Sequence, residues 1–300
     1  MALNKNDLKG IFPAIVTPTN DKGEINREAT KKLISFLIEA GVHGVVPLGG
    51  TGEFSALAPK QRVEFVEAVI EATAGKVPVI AGILSPGFGE ARETGIAFKS
   101  AGVDAIMLVT PFYIHPTQEG LRRYFHKYTE QIDLPLILYD IPYRTNVSID
   151  PETVRKMADE NNQIIGMKAC NTSLAYFTRL MLAVEDKLSI LSGEEYLFLS
   201  HMLLGAKGGI LATCNVFPKI WLKMYQNLID GDVVNARRIL FRLVPLLDAA
   251  FAEMNPGPLK EAMAMIELDV GSALNPLVKP SADTLSRLKS AITQLKDTPI

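Results

Sequence analysis

Short apolar runs separated by amphipathic stretches recur along the first two thirds of the chain. The runs are Ile11–Val16, Val42–Leu48, Val77–Ala81, Ala105–Val109, Leu136–Tyr139, Ile164–Ala169, Leu188–Leu191 and Gly208–Ala212. Each is followed by apolar residues at helical spacing. In Arg27–Ala40, for example, Ala29, Leu33, Phe36, Leu37 and Ala40 share a face and Gly41 stops the helix. Runs that are continuously apolar, not alternating, predict strands covered on both faces, as in a parallel sheet. One device repeats from helix stop to strand: Ala40-Gly41-Val42, Ala101-Gly102-Val103 and Leu204-Gly205-Ala206, with glycine supplying the left-handed residue that ends a helix. Eight strand–helix units over roughly 220 residues predict a (β/α)8 TIM barrel, not a doubly wound sheet, for residues 1–225. From Phe217 onward only helical patterns remain, among them Ala236–Met254, Pro258–Leu268 and Ala282–Leu295. Residues 226–300 are therefore expected to form a C-terminal helical extension, packed on the barrel or on a neighbouring subunit.

Composition narrows the function classes. The 300 residues are 48% hydrophobic and 21% charged with a formal net charge of −2, which leaves no electrostatic footprint for nucleic acid or an anionic membrane. The N-terminal ten residues carry charges where a signal peptide needs an apolar core, and no apolar run approaches a membrane span. Cys170 and Cys214 lie far apart, with neither metal spacing nor a secreted framework, so a reducing cytoplasm is expected. No carboxylate–histidine spacing suggests a metal site, and no Walker or dinucleotide fingerprint is present. The expectation is a soluble cytoplasmic protein.

In such a barrel the chemistry sits where the strands end. Lys168 closes the apolar run Ile164-Ile165-Gly166-Met167-Lys168-Ala169. Apolar surroundings make an ammonium costly and favour the neutral amine, a nucleophile towards carbonyl carbon; a stem that snorkels to solvent is the alternative. Tyr139 ends the preceding strand, about one βα unit (~30 residues) away, where a phenol serves proton transfer if both side chains point inward. The loop Gly49-Gly50-Thr51-Gly52-Glu53 offers free backbone N–H groups and a hydroxyl, suited to a carboxylate, or else is simply a tight turn. Arg144 suits a second carboxylate, or else a surface or interface position. Tyr113 and His115 follow the fourth strand, and His115 is placed facing the mouth. His43 and His201 read as structural, and His126 as a helix residue without a partner. Gly205–Gly209 precedes its strand, so it reads as a feature of the fold, not a phosphate loop.

The ordered motifs Gly-x-Thr-Gly-Glu, Thr110-Pro111-Phe112-Tyr113, Tyr139-x-x-Pro142-x-Arg144-Thr145, Gly166-x-Lys168, Leu191-Ser192-Gly193 and Gly208-Gly209-Ile210 span residues 10 to 215. Together they resemble the dihydrodipicolinate synthase / N-acetylneuraminate lyase family. The resemblance implies that Lys168 forms an imine with pyruvate or another 2-oxo acid and that Tyr139 transfers protons. It implies that the amides of Gly50 and Thr51, with the Thr51 hydroxyl, hold the 2-oxo acid carboxylate, and that Ile210 lines the pocket. Tyr113 would be contributed across a tight dimer into the neighbour's site, in a homotetramer built as a dimer of dimers. No metal or organic cofactor is implied.

Arg144 tilts the resemblance to the synthases, where that arginine engages aspartate semialdehyde in lysine and diaminopimelate biosynthesis. Gly50 tilts it away, because the synthases usually carry a threonine there whose hydroxyl links the two tyrosines in a proton relay. An N-acetylneuraminate lyase, or a 2-oxo-3-deoxy sugar acid aldolase or dehydratase, stands as the alternative within the family. A barrel that binds a 2-oxo acid without turnover is the alternative of another class. The segment Phe54–Pro59 and Pro86 also depart from lysine-inhibited synthases, so tight lysine feedback is not expected.

Overall fold

The computed structural model describes residues 3–297. Seven parallel strands form one curled sheet: β1 (Gly10–Pro13), β2 (Ile80–Ile83), β3 (Ala105–Val109), β4 (Leu136–Asp140), β5 (Ile164–Ala169), β6 (Ser189–Ser192) and β7 (Gly208–Leu211). Their order is β1-β7-β6-β5-β4-β3-β2, so each neighbours its successor from β2 to β7, and β1 joins β7. Helices alternate with the strands, beginning with Arg27–Ala40. That helix is capped by the Asn26 side chain, which accepts from the Ala29 N–H at 3.0 Å. The repeated glycine device has the expected basis: Gly41, Gly102 and Gly205 have φ of +97°, +97° and +106°.

The expected second strand, Val42–Leu48, is not a regular strand but two single parallel bridges, Ala14 to Val46 and Val45 to Val79. It still bonds to both edges of the sheet. His43 N–H donates to Ile11 and Val46 N–H to Pro13 on one side, while Ile80 and Gly82 N–H donate to Val45 and Pro47 on the other. Pro47 has no N–H to extend a ladder, and Leu48 turns into the left-handed region at φ +62°. The pleat sorts side chains into two cores. Phe12, Met107, Ile137, Tyr139 and Ile210 point into the curl, whereas Ile11, Ile106, Leu108, Leu136 and Leu138 face the helices.

Beyond β7, helices Pro218–Ile229, Val233–Ala250, Gly257–Ala264 and Ala282–Asp297 complete the chain. Leu243, Leu246, Leu247, Leu259 and Leu288 belong to the same apolar cluster as the outer faces of the strands, so the extension packs on the sheet-and-helix body. Polar ties reinforce this. Lys260 and Glu53 form an ion pair at 2.7 Å with side chains 1% and 3% exposed. The Trp221 indole N–H donates to Thr213 Oγ1 at 3.0 Å.

Two minor expectations are corrected. His126 has a partner, Glu130, at 3.3 Å on its own helix. His115 is exposed and lies outside the wall of the cavity that contains Lys168. His43 is structural as expected: its Nδ1 accepts from the Ile11 N–H at 3.1 Å.

Candidate functional site

The β4–β5 ladder places Tyr139 directly beside Lys168. Residues opposite one another on adjacent strands share a face, and this face points into the curl. Both are buried, and Lys168 Nζ lies 4.5 Å from the centroid of the Tyr139 ring. Gly193, just past β6, makes room for them: a Cβ there would fall 2.9 Å from Lys168 Cε and nearer still to Cys170 Sγ.

A cavity of about 530 Å³ opens over this pair. Its wall contains Lys168, Tyr139, Gly50, Thr51, Arg144 and Ile210, six of the seven residues singled out from the sequence. The seventh, Tyr113, is 82% exposed and lies outside the cavity of its own chain. Thr51 Oγ1 accepts from Asn255 Nδ2 at 2.8 Å, so its hydroxyl proton stays available to a ligand. The open space at position 50 is literal: a Cβ on Gly50 would meet nothing within 4 Å. Arg144 follows β4 on the short helix Pro142–Thr145 and lies at an exposed rim, its Nη1 3.3 Å from Met254 Sδ.

Sequence reasoning passed over Tyr143, Cys170, Glu194, Met254 and Asn255 as site residues, and all five also line the wall. Glu194 carries a signal that could have been read, since it follows the end of β6 as Lys168 ends β5. Tyr143 lies within the motif already noted between Tyr139 and Arg144. Asn255 carries no such signal, because it arrives from the helical extension.

Burial dominates the electrostatics. It pushes the Tyr139 phenol well above its ordinary range, with the neighbouring Cys170 adding to the shift. The Cys170 thiol is likewise pushed up, which leaves it protonated. Burial raises the Glu194 carboxyl to about 7, against the pull of the Tyr143 hydroxyl, Lys168 and Arg144. More than half of Tyr143 is exposed, yet the residue lines the cavity together with Glu194. Glu195, next in sequence, accepts from the Ala212 N–H, the Thr213 N–H and the Thr213 hydroxyl, and serves to fasten the end of β7. Among the described residues no group of three or more His, Cys, Asp or Glu is placed to hold a metal ion, and no helix is long and apolar enough to cross a membrane.

This arrangement provides an amine at the floor, a phenol beside it, a hydroxyl with backbone amides on one wall and a guanidinium at the rim. It can hold an acid, make a carbonyl electrophilic by condensation and move protons around it. Comparison with known proteins agrees. Residues 7–295 match the Dihydrodipicolinate synthetase family. The chain is 38% identical over 287 residues to a 4-hydroxy-tetrahydrodipicolinate synthase of Methanocaldococcus jannaschii, covering 96% of this chain and 98% of that one. A solved dihydrodipicolinate synthase superposes with TM-score 0.92 at 37% identity, covering 96% and 99% of the two chains. The chloride-inhibited synthase of Acinetobacter baumannii, solved with pyruvate, superposes with TM-score 0.92 at 32% identity over 96% and 99%. The chain belongs to the dihydrodipicolinate synthetase family.

Proposed function

We propose that this chain is a 4-hydroxy-tetrahydrodipicolinate synthase, a class I lyase that condenses pyruvate with aspartate semialdehyde. The observation that carries the reading is Lys168 Nζ over the Tyr139 ring on the floor of the cavity. Lys168 attacks the ketone of pyruvate, and loss of water gives an imine that tautomerises to an enamine. Thr51 and the amides of Gly50 and Thr51 hold the pyruvate carboxylate. The enamine carbon adds to the aldehyde, whose own carboxylate is held by Arg144, while Tyr139 moves protons and Ile210 packs on the substrate. The protein works in the cytoplasm without metal or cofactor. The strands, joined across both edges by residues 43–47, form a closed (β/α)8 barrel. The exposure of Tyr113 suits a residue that enters the site of a second copy, in a homotetramer.

Gly50 favours a second reading, because the space beside it holds no hydroxyl to link two tyrosines. On that reading the imine persists, but the partner is N-acetylneuraminate or a 2-oxo-3-deoxy sugar acid that is cleaved or dehydrated. Borohydride reduction with pyruvate, followed by mass spectrometry, tests both. A pyruvyl adduct on Lys168 is expected, and none in Lys168→Ala. Its absence in the wild type would leave a non-catalytic binding barrel. Parallel turnover assays with aspartate semialdehyde and with sugar acids then separate the two lyase readings.

A further inference from the structure

We propose that Glu194, on a turn fixed by the Ser192 hydroxyl, gives a proton to the oxygen of the acceptor aldehyde as the carbon–carbon bond forms, in place of a relay through residue 50. The proposal rests on the imine reading above and assigns the proton donor that reading leaves open.

Four observations carry it. First, position: the β5–β6 ladder pairs Lys168 with Leu191 and Ala169 with Ser192, so Glu194 stands two residues beyond the end of the sheet, above Lys168 on the side of the mouth. An acceptor laid over the Lys168 adduct arrives at this level. Second, the turn that presents Glu194 is fixed. The Ser192 hydroxyl accepts from the Glu194 N–H at 3.3 Å and lies 3.1 Å from the Glu194 carbonyl and 2.8 Å from His201 Nδ1. The His201 ring in turn stacks on Phe177 at 3.7 Å. Third, the two adjacent glutamates differ. Glu195 is occupied by three donors, whereas Glu194 Oε1 is shielded from solvent with no hydrogen-bond partner among the described residues, and Tyr143 lines the same cavity. A shielded carboxyl oxygen without a donor is stable as O–H. Fourth, Gly50 offers no hydroxyl on the opposite wall.

The groups facing Glu194 set its proton affinity. They are Tyr143 and Arg144 from the helix after β4, Lys168 from β5, and Glu195 on its own turn, with Tyr139 and Cys170 nearby. Burial raises its carboxyl to about 7, so both protonation states are populated near neutrality. The Lys168 charge pulls it down, and an enamine nitrogen carries no such charge. Enamine formation therefore drives Glu194 towards its protonated state at the stage when a proton is needed. The step balances. The enamine carbon bonds to the aldehyde carbon, the carbonyl π electrons move to oxygen, and that oxygen takes the Glu194 proton. The nitrogen becomes an iminium, which water hydrolyses to free Lys168, and Glu194 regains its proton from solvent at the mouth.

The test separates imine formation from addition. Borohydride trapping with pyruvate is measured beside turnover with aspartate semialdehyde and with glyceraldehyde, in wild type, Glu194→Gln, Glu194→Asp and Tyr143→Phe. Glu194→Gln should trap pyruvate within about twofold of wild type while kcat falls about 10²–10⁴-fold, with KM changed far less. The neutral ionisation in the pH profile of kcat/KM should vanish in Glu194→Gln, return in part in Glu194→Asp and move upward in Tyr143→Phe. Trapping retained with kcat within threefold of wild type, or an unaltered pH profile in Glu194→Gln, overturns this proposal alone. Failure of the wild type to trap pyruvate, or to turn over either aldehyde, overturns the imine lyase reading and this proposal together.

Discussion

Replacing Lys260 with methionine should destabilise the protein and loosen a loop of the cavity at once. The ammonium meets Glu53 at 2.7 Å with both side chains almost fully buried, and it also donates to the Ser272 carbonyl at 2.9 Å. Glu53 accepts from the Leu274 N–H at 2.6 Å, so one carboxylate gathers two segments of the extension. At that separation the Coulomb attraction is about 6 kcal/mol for an effective dielectric constant of 20. Desolvation of both ions offsets much of it, so the net worth of the pair is small, while loss of one partner alone costs about 3–5 kcal/mol. Lys260→Met leaves the Glu53 carboxylate buried with a single N–H donor, and Tm should drop by about 5–8 °C for a chain of this size. Glu53→Gln should cost less. Burial already holds the Lys260 ammonium below its ordinary range against the opposing pull of Glu53, so an unpaired Lys260 can shed its proton. In the double variant both charges are gone, and about 2–4 kcal/mol of the summed single costs should be recovered. Urea unfolding of the four proteins measures the cycle. Because Glu53 is two residues from Thr51, KM for pyruvate should rise in Lys260→Met and recover in the double variant. A Lys260→Met cost below about 1 kcal/mol, or single costs that simply add, would refute the argument.

Gly193→Ala should abolish pyruvate trapping while the protein stays folded, because the new methyl displaces Cys170 Sγ and Lys168 Cε; trapping at the wild-type rate would contradict the packing. The buried, stacked His201 imidazole is held at about 4, below its ordinary value, by desolvation. Its neutral form is favoured by folding, so this contribution is complete above pH 6.5 and is lost as pH falls towards 4, by at most about 3 kcal/mol. Measured against His201→Gln, which cannot titrate, the wild type should therefore lose relative stability across that window; a difference that stays constant with pH would refute it. Added lysine should leave activity unchanged, and inhibition at micromolar lysine would show that the departures at Phe54–Pro59 and Pro86 do not matter.

Much of the site could be read before folding because β-strands make sequence position and spatial level equivalent. Lys168 and Tyr139 each close an apolar run, and adjacent parallel strands bring run ends to one rim, so their nearness could be expected, while their shared inward face is given by the observed β4–β5 register. The same rule reached Thr51, whereas Ile210 came only from the family resemblance. The rule overstated the second strand, since Val42–Leu48 has the hydrophobicity of a strand but ends early, with Pro47 lacking an N–H and Leu48 turning left-handed. Glu194 was legible in principle but its acidic neighbour was equally so. Only the hydrogen bonds that occupy Glu195 tell the two apart. Asn255 was out of reach, because periodicity reports which face of a helix is apolar and nothing about which distant loop its end will touch.

The bond from Asn255 to Thr51 also sets when the site comes into being. The two residues lie 204 positions apart, so the hydroxyl expected to meet the 2-oxo acid is oriented by a part of the chain made long after it. During synthesis Lys168, Tyr139 and Arg144 all emerge well before Asn255, Lys260 and Leu274 arrive to hold the loop from Thr51 to Glu53. A nascent polypeptide thus carries Lys168 before the loop that holds Thr51 is fastened. On the proposed function, competence to hold substrate is therefore expected to come late, when the last quarter of the chain docks.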